Sequence, residues 1–307
     1  MKKLLSVVLI SCMSLALFAS CAKDTRKLWG YKELDDGTIE IVRFNDFKEE
    51  KVTTPKKIDG KKVTRIGEAA FNGHNNMTSL TVSEGVTSIG THALYCCSGL
   101  KELNLPDSLI TLDGGSLSGA TALEELTLPP NLKTIDDLTF EWLFSLKKIE
   151  IPDSVEYLGR NAFAGCWALE SVKLPEHINI EAGLFANCKA LTSVNLPADL
   201  TLMESAVFWD CGSLTEVDIP KGVTSLGDWE FKECESLKKV TIPEGVTKIG
   251  EEAFSGCHEL EVLTIPAGVT SIGKDAFAFC PKLTLTVTAG SYAEEYCKEN
   301  NLKYKTT

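Results

Sequence analysis

Positive charge, histidine and long apolar runs are all scarce in this 307-residue chain. Lys and Arg number 31 against 43 Asp and Glu, a formal net charge of −12, and the basic residues form no cluster. Such a chain repels phosphate backbones and anionic lipid heads, so nucleic acid is not an expected partner. The four His (His74, His92, His177 and His258) fall in separate stretches without metal-ligand spacing, so no metal is expected. No nucleophile elbow, zinc-protease motif, phosphate loop or dinucleotide fingerprint occurs, so neither a catalytic residue nor a cofactor is expected. Beyond the N-terminal segment, no apolar run is long enough to cross a bilayer.

That N-terminal segment is an export signal. Lys2 and Lys3 precede a mostly apolar stretch, Leu4 to Leu17, and small residues lead into Cys21. The pattern resembles a bacterial lipoprotein signal, with Cys21 as the lipid-bearing first residue of the mature chain. Ordinary cleavage, giving a free secreted protein, is the alternative. Several acyl chains on one Cys would anchor the protein firmly, since each buried methylene contributes about 0.8 kcal/mol. The only membrane contact expected is through that lipid. The short stretch Ala22 to Arg26 holds no Gly/Ser spacer, which would place the fold close to the membrane.

What the chain has in abundance is one phrase, repeated. A large apolar landmark recurs at Phe71, Leu94, Leu117, Phe140, Phe163, Phe185, Phe208, Phe231, Phe254 and Phe277, every 23 residues except for one step of 22 at Phe185. Ten copies of such a unit mean a β-rich repeat solenoid, each unit one turn stacked on the last. In the unit around Phe163, Leu169, Val172 and Leu174 bring one strand with a buried face, and Pro175 ends it. Val155 and Leu158 add a second apolar pair, and Gly159 is expected at a sharp turn. The missing residue falls in Ile178-Asn179-Ile180, where local distortion is expected.

These residues carry a resemblance to the leucine-rich-repeat superfamily, in its bacterial 23-residue type called BspA-like. It covers about Val63 to Val287, and the tail AGSYAEEY (Ala289 to Tyr296) resembles that family's closing segment. The resemblance implies a right-handed superhelix with a parallel sheet on its inner surface. It also implies a surface-exposed, often lipid-anchored protein that adheres to host matrix proteins, host cells or other bacteria, without catalytic residues. The organisation expected is a signal at 1–21, an N-terminal cap at 22–62, a solenoid at 63–288 and a C-terminal cap at 289–307. A hairpin near Asp59-Gly60 would close one end, and a short helix with Tyr292, Tyr296 and Leu302 inward the other.

Two sets of side chains stand out from the repeat. Cys97, Cys166, Cys188, Cys211, Cys234, Cys257 and Cys280 share one position. A straight column cannot surround zinc tetrahedrally, and its parallel Cβ atoms, about 4.8 Å apart, exceed the usual ~3.8 Å of a disulfide. Buried thiols are expected, with Cys297, outside the column, the exposed and reactive one. The second set is the candidate binding surface. Trp142, Phe144, Trp167, Trp209 and Trp229 enrich the middle repeats, either filling gaps in irregular units or forming an exposed strip. Lys148, Glu150, Lys173, Glu216, Asp218 and Lys239 point outward from the strand positions. The function expected is a non-catalytic cell-envelope binding protein acting on a protein partner. A glycan-binding surface lipoprotein using the Trp-rich repeats, or a passive envelope spacer, are the other readings.

Overall fold

The computed structural model describes residues 25–307. The signal segment and Cys21 lie outside the described residues. The chain is a β-solenoid in which every repeat is one turn, joined to the next by three sets of hydrogen bonds, two of them interrupted along its length.

The first ladder comes from three-residue strands such as Lys148–Glu150, Ser171–Lys173, Glu216–Asp218 and Lys239–Thr241, paired in parallel with Ile149 opposite Val172 and Val217 opposite Val240. In each strand the middle residue is buried and its neighbours exposed. The second apolar pair of each unit also makes a ladder. Two-residue strands such as Thr134–Ile135 and Tyr157–Leu158 pair in parallel. Gly159, which follows, has no positive φ. It is needed because a Cβ there would lie 2.4 Å from the Asp137 nitrogen, so it marks close approach between turns rather than a sharp bend.

The third ladder is built at the landmark itself. The residues two before and two after it adopt left-handed backbone in every repeat: Asn161 and Gly165 around Phe163 (φ 52° and 73°), Trp229 and Glu233 around Phe231 (59° and 61°). This alternation turns the N–H groups at −2, 0 and +2 to one side. All three donate to the next turn at every junction; Phe163 donates to the Leu184 carbonyl at 3.0 Å and Phe231 to Ala253 at 2.7 Å. The landmark rings consequently stack in a column, with centroids 5.5 Å apart for Phe208–Phe231, 5.3 Å for Phe231–Phe254 and 5.8 Å for Phe254–Phe277. Close packing without water makes this column the core.

The 22-residue step breaks the first two ladders and spares the third. Between Ser171–Lys173 and Glu216–Asp218 no strand forms. Ile178 and Ile180 still reach the core, but from a spacing one residue too short. Across the same step the Phe163 bond is intact and Gly165 donates to Ala186 at 2.8 Å. The landmark ladder therefore holds the solenoid together where the sheets fail.

The N-terminal cap contains two hairpins. Trp29–Glu33 pairs antiparallel with Ile39–Phe44, and Lys57–Ile58 with Lys61–Ile66 across Asp59-Gly60. Phe44 acts as a further landmark: its ring lies 5.5 Å from Phe71, and Trp29 packs on both, 4.7 Å from Phe44 and 6.0 Å from Phe71. At the other end, Thr284–Val287 and Tyr304–Thr306 extend the first ladder. The helix Tyr292–Glu299 is capped by Ser291, which accepts from the Glu294 N–H. It buries Ala293, Tyr296 and Cys297, while Tyr292 is exposed. The buried stripe is thus one residue round from the expected Tyr292–Tyr296 face, which overturns the expectation of an exposed Cys297. That thiol is buried, and burial pushes it up to about 11.

Candidate functional site

Trp142, Phe144, Trp167, Trp209 and Trp229 come from repeats four to eight, and the structure gathers all five in one groove of about 550 Å³. The four indoles are 43%, 50%, 41% and 45% exposed, so they are not gap fillers. Local backbone explains why two of them stand outward. Trp142 occupies the left-handed +2 position (φ 60°) and Trp229 the left-handed −2 position (φ 59°). Side chains leaving such positions cannot enter the core that the landmark between them fills. Trp142 rests on Gly165 of the next turn, where a Cβ would meet its Cδ1 at 2.5 Å. Phe144 stacks on Trp167, centroids 4.2 Å apart and planes within 17°.

The floor between the rings is small: Ala164, Ala182, Ala186 and Ala206 line it. Asn161, Asn187, Ser205 and Glu141 give it hydrogen-bonding groups. Burial raises the Glu141 carboxyl above its ordinary value, and the Ser118 hydroxyl donates to it at 3.2 Å. At the far end Lys232 holds the Glu252 carboxyl below its ordinary value at 2.5 Å, and the Trp229 side chain adds a hydrogen bond. Fixed aromatic faces on a small-residue floor, rimmed by amides and hydroxyls, make a surface suited to binding. The floor and the polar rim went unread in the sequence. Their signal was available: Trp142 and Trp229 occupy the −2 and +2 positions that Gly115, Gly183, Gly73, Gly119, Gly165 and Gly256 fill elsewhere.

The charged candidates lie on a different face and do not form one group. Lys148, Glu150 and Lys173 share a shallow depression of about 430 Å³, with Lys173 paired to Glu150. Glu216, Asp218 and Lys239 sit on strands beyond the interrupted stretch. None of the six lines the aromatic groove. Exposed pairs of this kind contribute only about 0–1 kcal/mol.

The cysteine column has a role that the spacing did not show. Each thiol donates to the carbonyl of the preceding landmark, as Cys166 to Phe140 at 3.1 Å, Cys211 to Phe185 at 3.2 Å and Cys234 to Phe208 at 3.1 Å. Burial raises all three thiols, Cys166 to about 12. Thiols so protonated are poor nucleophiles and poor metal ligands. Among the described residues no three His, Cys, Asp or Glu side chains converge as a metal site, and no helix is long and apolar enough to cross a membrane.

The repeat matches the BspA type leucine-rich repeat region over residues 38–170 and 156–284. The chain belongs to that family. Among solved structures, this BspA-type chain is similar to a leucine-rich repeat protein from Bacteroides ovatus, with 24% identity, TM-score 0.57, and coverage of 91% of this chain and 98% of that one. It is also similar to a leucine-rich cell surface protein from Faecalibacterium prausnitzii, with 22% identity, TM-score 0.56, and coverage of 91% and 93%. At these identities the likeness concerns the fold. No curated protein matches the sequence.

Proposed function

We propose that this BspA-type solenoid is a non-catalytic, exported cell-envelope protein that captures a protein partner in its aromatic groove. The observation that carries the reading is the gathering of four exposed Trp and Phe144 in one groove, a cost in exposed apolar surface that a passive spacer has no reason to bear. Trp is the residue type that most often dominates binding energy when a partner covers it. The N-terminal segment ending in Cys21 supports a lipoprotein in the envelope, and a structure of similar fold is that of a cell surface protein. An adhesive role toward host or bacterial surfaces accords with that placement.

A glycan is the second reading, favoured by the flat Phe144–Trp167 stack, a geometry that suits the apolar face of a sugar ring. Protein and glycan arrays probed with the mature chain and with Trp142→Ala and Trp167→Ala separate the two. The proposal expects hits on the protein array that both substitutions weaken. Binding to proteins that neither substitution changes would remove the groove from the account. Fatty-acid labelling lost on Cys21→Ala would support the anchor, and protection from protease shaving of intact cells would count against surface display.

A further inference from the structure

The landmark ladder ends in an unpaired row. At each junction the N–H groups at −2, 0 and +2 donate to the following turn. In the tenth repeat these belong to Asp275, Phe277 and Phe279, and none of them has a hydrogen-bond partner among the described residues. The C-terminal cap extends the first ladder through Tyr304–Thr306, and its helix packs against Ser271–Ile272. One side of an eleventh rung is therefore present; on the landmark side Tyr296 covers the Phe277 ring edge-on at 6.2 Å, but among the described residues no backbone carbonyl accepts from the N–H row. Beside that row is a groove of about 380 Å³ lined by Phe277, Phe279, Cys280, Leu283, Leu302 and Lys303. Phe279 stands 77% exposed on left-handed backbone, φ 57°.

The groove's charged lining residue is Lys303, and the Asp275 carboxylate beside it pairs with Lys274 at 3.7 Å. Left-handed Asp275 and Phe279 alternate with Phe277, so the row of N–H groups forms a concavity that attracts oxygen acceptors. Within the landmark ladder every such N–H points toward this end, so its last three are left projecting here. Lys303 is exposed and, among the described residues, forms no ion pair. The apolar floor, the N–H row and Lys303 together fit a segment with carbonyls on one edge, an apolar side chain and a carboxylate.

We propose that this lip binds an extended, carboxylate-bearing peptide segment that completes the landmark side of an eleventh rung. Main-chain carbonyls of the segment accept from Phe277 and Phe279, an apolar side chain covers Phe279 and Leu302, and the carboxylate meets Lys303. Edge pairing supplies affinity and the side-chain contacts supply selectivity, as in other strand-addition sites. The site shares no residue with the aromatic groove and does not depend on it. A second copy of the chain is a poor occupant. Its own C-terminal lip offers only donors, and at its N-terminal end the Ala70 carbonyl already accepts from Phe44 at 2.8 Å.

Hydrogen exchange of the full chain, read on residues 274–280, tests this with two synthetic probes, Asp-Val-Asp-Val-Asp-Val and Lys-Val-Lys-Val-Lys-Val. In the free protein the Asp275, Phe277 and Phe279 amides should exchange fast. The acidic probe should slow them by about tenfold, and the basic probe should leave them unchanged. By fluorescence anisotropy, Lys303→Glu and Phe279→Ala should each weaken the acidic probe by about tenfold. Both side chains are exposed, so neither change should move the melting temperature. Three results would overturn the proposal: slow exchange of these amides in the free protein, equal binding of both probes, or acidic-probe affinity unchanged by the two substitutions.

Discussion

Glu230 precedes the landmark Phe231, at the position held by Ala in five other repeats: Ala70, Ala93, Ala162, Ala253 and Ala276. It is fully buried, and neither carboxyl oxygen makes a hydrogen bond of good geometry; a contact with the Gly227 backbone offsets the burial only in part. Burial therefore pushes the carboxyl well above its ordinary value. The sign follows directly. The folded state holds a proton that the unfolded state releases above about pH 4.3, so this group costs nothing extra below that pH. Stability then falls as pH rises toward the folded-state value, by about 1.4 kcal/mol for each unit between the two. Glu230→Gln keeps the shape and removes the titration. Its stability relative to wild type should improve steadily as the pH rises from 4 to 7. Urea unfolding of both proteins at pH 4, 5, 6 and 7 reads this difference. A gap between variant and wild type that does not change with pH would refute the reasoning, because it would mean that Glu230 titrates alike in both states.

Other expectations concern the stack and the groove. Phe231→Ala deletes a fully buried ring from the column and should cost about 3–5 kcal/mol by urea unfolding, while Phe279→Ala should cost less than about 0.5 kcal/mol. Gly165→Ala puts a methyl group where the Trp142 indole lies, on left-handed backbone that disfavours it. It should shift Trp fluorescence and weaken partner binding while the far-ultraviolet spectrum stays unchanged. Nine thiols are free among the described residues, so denatured, unreduced protein should titrate at least nine. In the native state the half-buried Cys280 and Cys96 should react before the rest, and slow reaction at Cys280 would contradict the open C-terminal lip.

Much of this molecule could be read from the chain because one core position is occupied by large apolar residues ten times at almost fixed spacing. The axis, the column of rings and the buried thiols follow from that alone. Phe44 escaped because the cap separates it from Phe71 by 27 residues, so the period does not reach it. Cys297 and Tyr292 were misjudged because a two-turn helix has too few residues to define a face, and packing against the last turn chose Ala293, Tyr296 and Cys297. Gly159 looked like a bend because a one-dimensional reading cannot see the neighbouring turn that excludes its Cβ. The aromatic groove was half legible. Trp142, Trp167, Trp209 and Trp229 were conspicuous, but the outward direction of Trp142 and Trp229 depends on left-handed positions that Gly marks in some repeats and Asn or Glu fills in others.

Hydroxyl-radical footprinting of the five Trp, on free protein and on protein bound to partner-bearing cells or matrix, bears most directly on the account. In the free state Trp142, Trp167, Trp209 and Trp229 should oxidise readily while Trp29, 4% exposed, is spared, and binding should protect those four together. Four unreactive indoles in the free protein, or four that stay fully reactive in the bound state, would contradict it.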